Sequence, residues 1–549
     1  MNSLELAQNS TDVDVLVIGA GVMGIYQLHR VREAGFDVKL IEAGSGVGGV
    51  WFWNRYPQAR FDSESYAYGY LFSQELFNEW EWTEHFAGQP EIEAYLNHAV
   101  DRFDLRKDMQ FNTRVTSAVY DEVTGTWVVG TDDGSQLRAR VVISATGGLS
   151  VPFFPDLPGI EDFRGESHHT GLWPTTPVDF TGKKVAVVGS GPSGIQVFPT
   201  IAAEAAELTM FQRTANWCTP LNNRPITAEE WDDLRANFPQ IRDTLNRSVH
   251  GFLHELNPTV STDFTKEERR EFFEKLWQSP GFSKLTTNYA DMTTNPEVNR
   301  EFCDFIADKI RSIVKDPETA DNLIPKDHRF GGKRAPFENG FYETMNLPHV
   351  SLVNLRKNPI VRLTETGIET SEGFQEFDVI VWATGFDFGT GALSRMGVVG
   401  RDGVRLEEHW DAGPTTYLGF TAHGFPNLFF PGGPHGAGGG NYPRYGSDQV
   451  DFITDSLVFL RDSGETVFEA PAEAEAKWMD MVNTLAPHSM FSKEHSHYYG
   501  ANIPGKPRRF LLNPGGRGKL HEMIADVVGS NYRGFLHTPE GARSAELVR

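Results

Sequence analysis

The chain has 549 residues and a net charge of −24, from 50 Lys and Arg against 74 Asp and Glu. That length calls for two or three cores rather than one, and the acidic balance excludes nucleic acid and anionic membrane as main partners. Two cysteines, Cys218 and Cys303, are too few for a disulfide framework or a cysteine zinc site and predict a reducing, cytoplasmic setting. Met1–Val13 has neither the basic nor the apolar region of a signal peptide, and no apolar run reaches the ~18 residues of a membrane helix.

Asp14–Ile18 is a short apolar run of the kind found in buried parallel strands. Gly19-Ala20-Gly21-Val22-Met23-Gly24 follows, then a helical pattern through Arg32, then a strand Val38–Ile41 ending at Glu42. This is the βαβ dinucleotide fingerprint: glycines admit the pyrophosphate to a helix N-terminus and the acid accepts the ribose hydroxyls. Gly48-Gly49-Val50-Trp51-Phe52-Trp53-Asn54-Arg55-Tyr56-Pro57 then suits a backbone wrapping a flat ring, or an aromatic core patch. Pro90–Phe103 reads as an amphipathic helix, 110–135 as strands and turns, and Arg138–Ile143 as a return strand.

A loop rich in Gly and His, Phe163–Pro174, leads into a second unit. Its strand Val185–Val188 meets Gly189-Ser190-Gly191-Pro192-Ser193-Gly194, a helix to Ala206 and a strand Leu208–Phe211. The position that was Glu42 in the first unit is here Gln212-Arg213-Thr214. An arginine there can pair with a 2′-phosphate, so the first unit reads as FAD-binding and the second as NADPH-binding.

Residues 225–325 are charged and helix-periodic, with capping boxes at Thr227–Glu230 and Thr265–Glu268, and are read as a helical insertion. A loop with Lys333-Arg334 follows, and the strand ending in Ala383-Thr384-Gly385 repeats Ser144–Gly147. Asp448–Arg461 is an expected helix, 501–508 a Pro/Gly loop, and the polar tail after Phe535 is read as frayed. The expected fold class is α/β, with two Rossmann-like domains and a helical insertion. The expected segments are 1–150 (FAD, first part), 151–224 (NADP, first part), 225–325 (insertion), 326–380 (NADP, second part) and 381–549 (FAD, second part). The last includes a mobile loop at about 488–508.

Phe163-x-Gly165-x-x-x-His169-Thr170-x-x-Trp173-Pro174 between two GxGxxG turns resembles the fingerprint of type I Baeyer–Villiger monooxygenases. The likeness extends to residues 48–57, Lys333-Arg334 and Gly500-Ala501-Asn502-Ile503-Pro504-Gly505-Lys506-Pro507-Arg508. Flavin-containing N- and S-oxygenases share the layout and are the alternative, but usually carry Tyr or Phe in place of Trp173 and lack the Trp-rich segment. A flavoprotein passing electrons to a partner protein would need a redox cysteine pair, and Cys218 and Cys303 form no CxxC.

The resemblance implies that NADPH reduces FAD, that O2 adds at flavin C4a, and that the peroxyflavin attacks a ketone whose adduct rearranges to an ester or lactone. It implies Arg334 as the cation beside that peroxide and Asp62 as the carboxylate orienting it. The cofactor-binding set expected from the turns and the resemblance is Gly19, Gly21, Gly24, Glu42, Gly49, Val50, Trp51, Trp53, Asp62, Tyr68, Val115, Gly189, Ser190, Gly191, Ser193, Gly194, Gln196, Arg213, Thr214, Lys333 and Arg334. Phe163, Gly165, His169 and Trp173 form the fingerprint, with His169 and Trp173 read as positioning residues for domain movement. Asn216–Leu221 looks like the branch acting on cyclic, terpene-type ketones. Gln58 stands where the family often has Gly, and His497 where it commonly has the Trp tied to closure of the mobile loop over NADP. No metal is expected, since His495 and His497 lack a third ligand. The expected partners are a ketone and O2, with the chain a monomer or weak oligomer.

Overall fold

The structure, a computed structural model, describes residues 11–491 and 496–539; His495 of the expected mobile loop lies outside the described residues. The first sheet is built around β1 (Val13–Ile18), which pairs in parallel with β2 (Val38–Ile41) and with the return strand β6 (Gln136–Ser144). β3 (Met109–Gln110) extends it beyond β2, while β4 (Val115–Asp121) and β5 (Thr126–Thr131) form an antiparallel meander onto β6. The helix α1 (Val22–Glu33) runs from the Gly-rich turn after β1.

The second sheet is wholly parallel. β7 (Glu166–His169), β8 (Lys184–Val188), β9 (Glu207–Gln212), β10 (Val350–Asn354) and β11 (Val379–Trp382) stand in the order β10-β9-β8-β11-β7. Its βα crossover is α2 (Pro192–Glu204). Glu166–His169 was expected within a loop; it is instead an edge strand on β11, and its polar residues reflect a strand paired on one side only. β11 runs to Trp382, so the second segment of this sheet passes the expected limit at 380. The chain then returns to the first sheet with β12 (Val398–Val399) on β4 and β13 (Leu428–Phe429) on β6, before the long helix α3 (Tyr442–Ser463) packs against α1.

The insertion is helical, and both expected capping boxes form, at Thr227–Glu230 and Thr265–Glu268. It contributes to the cores of both sheets. Trp231, Phe238, Ile241 and Leu245 from its first helices enter the core of the first sheet. Phe273, Phe302, Phe305 and Ile306 from the later ones enter the core of the second. The tail is ordered further than expected: Leu536–Pro539 pairs antiparallel with Glu465–Glu469. Among the described residues no helix is long and apolar enough to cross a membrane.

Candidate active site

Each Gly-rich turn is closed by backbone contact that a side chain would prevent. At the first, a Cβ on Gly24 would lie 1.8 Å from the Gly19 carbonyl oxygen, and one on Gly49 2.7 Å from Gly21 Cα. At the second, a Cβ on Gly194 would lie 2.2 Å from the Gly189 carbonyl oxygen, whereas one on Gly191 would meet nothing within 4 Å. Gly21 and Gly191 are the N-caps of α1 and α2, and neither helix start is capped by a side chain. Two uncapped helix N-termini, each approached through glycines, suit the pyrophosphate of a dinucleotide.

Glu42 at the end of β2 is buried, its two oxygens accepting the Ala20 and Gly44 N–H groups, each at 2.7 Å. Each oxygen keeps a second lone pair for a ribose hydroxyl. Val50 opens the short helix Val50–Trp53; Trp51 Nε1 donates to Tyr68 Oη at 2.8 Å, and the Trp53 carbonyl accepts the Trp173 N–H at 3.1 Å. Val115 starts β4 as a buried core residue.

At the second turn Ser190 Oγ donates to the Thr214 carbonyl at 3.0 Å. Arg213 is exposed beside Lys333 and Arg356. Arg356 was not anticipated: its Nε donates to the Arg213 carbonyl at 3.1 Å and its Nη2 to Thr214 Oγ1 at 3.3 Å and to the Asp327 carboxylate. The one signal for it in the sequence is a basic pair, Arg356-Lys357, just past β10. Burial lowers the Lys333 ammonium to about 8, with Asp327 opposing and Arg213 and Arg356 reinforcing the shift.

Arg334 and Asp62 form an ion pair, Nη2 to Oδ2 at 2.5 Å. The guanidinium lies over the Phe282 ring, 4.3 Å from its centroid, and its own backbone carbonyl accepts from Asn216 Nδ2 at 3.1 Å. Asp62 is buried, and its Oδ1 has no hydrogen-bond partner among the described residues. Burial raises the Asp62 carboxyl above the ordinary carboxylate range, and the Arg334 and Arg60 charges oppose that rise.

Two residues of the C-terminal loop reach this pair. Burial, then the Arg334 and Lys333 charges, push the His497 imidazole down to about 4, so it is neutral at neutral pH. Burial raises the Tyr498 phenol, with Arg334 opposing and Asp62 adding. The His497 ring packs on Tyr498 at 4.1 Å and edge-on to Phe388 at 5.4 Å. Gln58 has φ +65°, the left-handed region that favours glycine, and its Oε1 accepts from Arg60 Nη2 at 2.9 Å.

The fingerprint residues separate along β7. Phe163 and Gly165 sit at the N-terminal edge of the second sheet, where a Cβ on Gly165 would strike the Asp378 carbonyl oxygen at 2.4 Å. His169 sits at the other end, in register with Trp382. Its Nδ1 accepts the Gly171 N–H at 2.9 Å, leaving Nε2 to face Thr384 Oγ1 at 3.3 Å, and burial lowers its pKa to about 4. Thr170 bonds Trp382 through its backbone (3.0 Å) and Ser193 through its hydroxyl (3.1 Å). Gln196 on α2 reaches the first sheet's side, accepting from Tyr56 Oη at 2.7 Å and donating to the Arg60 carbonyl at 3.1 Å. Among the described residues no group of three or more His, Cys, Asp or Glu could hold a metal ion.

A family model described as flavin-binding monooxygenase-like matches residues 12–227. The chain is 43% identical over 538 residues to 2-oxo-Delta(3)-4,5,5-trimethylcyclopentenylacetyl-CoA monooxygenase of Pseudomonas putida, covering 96% of this chain and 98% of that one. It is 37% identical over 540 residues to a Baeyer–Villiger monooxygenase of Pseudooceanicola batsensis, covering 98% of each. A crystal structure of OTEMO in complex with FAD and NADP superposes with a TM-score of 0.93 at 42% identity, over 96% of this chain and 100% of that one.

Proposed function

The chain belongs to the Baeyer–Villiger monooxygenases, and from that premise we infer that it is an FAD- and NADPH-dependent enzyme placing one oxygen atom of O2 beside a ketone carbonyl to give an ester or lactone. The observation that carries this reading is the Arg334–Asp62 pair in a chain with two uncapped dinucleotide turns. FAD fits the turn of Gly19, Gly21, Gly24 and Gly49 with Glu42 on its ribose. NADPH fits that of Gly189, Gly191 and Gly194 with Arg213, Lys333 and Arg356 on the 2′-phosphate. When bound, NADPH supplies the reducing equivalents and FAD the centre at which O2 is activated.

The protein's part is electrostatic. Arg334 presents a guanidinium, a group that can stabilise an anion without protonating it. Asp62 and the Phe282 ring fix the plane of that guanidinium. Neutral His497 and Tyr498 close the same corner and exclude water. Among ketones, the cyclic class is the one we propose, since the Pseudomonas putida relative is named for a cyclopentenyl compound. The absence of a described membrane-crossing helix and the two unpaired, buried cysteines support a cytoplasmic enzyme.

Purified protein given NADPH, isotopically labelled O2 and a cyclic ketone should yield a lactone carrying one labelled atom. Amine or sulfide oxidation with no ester would instead favour an N- or S-oxygenase. A pH profile tests the phosphate site. Lys333 is cationic below about 8 and neutral above it, so kcat/KM for NADPH should fall as pH rises through about 8 while that for NADH stays level. A flat NADPH profile would remove Lys333 from phosphate binding. His169→Ala removes the link from β7 to Thr384 and should slow NADPH-driven turnover; full turnover would end its positioning role.

A further inference from the structure

Arg334 stands in a closed circuit of contacts. Its guanidinium bonds Asp62, and two residues on Glu64 Oε1 bonds His254 Nε2 at 2.6 Å. The His254 ring stacks on Phe252, centroids 5.3 Å apart and planes at 15°; Phe252 stacks on Phe282 at 5.1 Å; and Phe282 lies under Arg334. A cross-link braces the circuit, since Thr286 Oγ1 lies 2.9 Å from His254 Nδ1 and 3.1 Å from the Phe282 carbonyl oxygen. Gly281 admits this arm, because a Cβ there would come within 3.0 Å of the Asp62 carbonyl oxygen. Glu64 and His254 are both largely buried, so their bond is poorly screened and geometrically strict.

We propose that His254, in the helical insertion, is a positioning residue for Arg334. It holds the guanidinium from both sides at once, through Glu64 on the Asp62 segment and through the Phe252–Phe282 stack beneath the cation. The proposal rests on the reading of Arg334 given above. Neither arm has slack: the Asp62 route crosses one intervening residue, Ser63, and the aromatic route consists of buried rings in contact. Releasing His254 frees both ends of the support on which the orientation of the charge depends, and misplacement by about 1 Å at a catalytic group is enough to lower rates by about 10²-fold.

The test measures ester formed per NADPH oxidised in His254→Ala, His254→Gln, Glu64→Gln, Phe252→Leu and the His254→Ala/Glu64→Gln pair. FAD content and melting temperature are followed in each. His254→Ala should lower that ratio about fivefold or more, the missing oxygen appearing as hydrogen peroxide, with ketone KM changed less than about twofold. His254→Gln keeps a donor for Glu64 and should recover part of the loss; the double variant should be no worse than His254→Ala alone. In the FAD-free protein the same two substitutions should be non-additive in melting temperature. A wild-type ratio in a well-folded, FAD-loaded His254→Ala overturns the proposal, as does a loss that Gln does not relieve and that falls equally on KM and kcat. If Arg334→Ala itself still makes ester, the reading of Arg334 falls and the proposal with it. If Arg334→Ala makes none while His254→Ala is unimpaired, the proposal alone falls.

Discussion

Arg334→Ala should retain FAD and form essentially no ester, a loss of about 10³-fold or more, because removing a single donor aimed at a developing anion already costs about 10²–10³. The substitution does two things. It takes away the cation bonded to Asp62 Oδ2, and it leaves a buried carboxylate whose other oxygen has no partner among the described residues. An unpaired buried carboxylate is costly and is relieved by taking up a proton. Asp62, already raised by burial, should therefore rise further, and the variant should take up a proton at higher pH than the parent. Arg334→Lys is the informative control. It keeps the charge but has no plane to lie on Phe282, so ester formation should be intermediate. Product analysis, flavin absorbance and NADPH consumption together decide the matter; normal turnover in Arg334→Ala would remove the residue from the chemistry.

Arg213→Ala should raise the KM for NADPH about 10- to 100-fold while moving that for NADH less than about threefold, as expected for loss of a charge-assisted contact to a phosphate that NADH lacks. The side chain is exposed, and the turn that bears it is held from behind by Arg356 on the Arg213 carbonyl. Truncation at 213 thus leaves the turn standing, and the effect should fall on phosphate recognition alone. Equal shifts for both nucleotides would show that Arg213 does not read the 2′-phosphate.

What the sequence disclosed was local. Gly19–Gly24 and Gly189–Gly194 are legible because a short run of residues carries the whole geometry, and the two capping boxes for the same reason. The Glu166–His169 strand was hidden by its composition, since an edge strand need not be apolar. Arg356, Phe282 and the His254–Glu64 bond were hidden by distance along the chain. Glu64 and His254 are 190 positions apart, and Arg334 and Asp62 are 272 apart. The last pair was named only because the resemblance supplied it; periodicity and spacing carry no information about which surfaces meet. Gln58 lies between these cases, a departure visible in sequence whose left-handed backbone explains why glycine is common there.

The route of the chain through the two sheets governs how it can be made. The strand β6 at the heart of the first sheet waits for β13, contributed from Leu428–Phe429, and α1 waits for α3, which begins at Tyr442. A ribosome that has released the first 150 residues has therefore delivered an unfinished half-domain. The intervening sheet and the insertion must emerge before it closes. The residues that complete the first sheet are thus translated late, although its glycines are among the first. A chain stopped before Leu428 would lack the parts that complete the domain nearest its start.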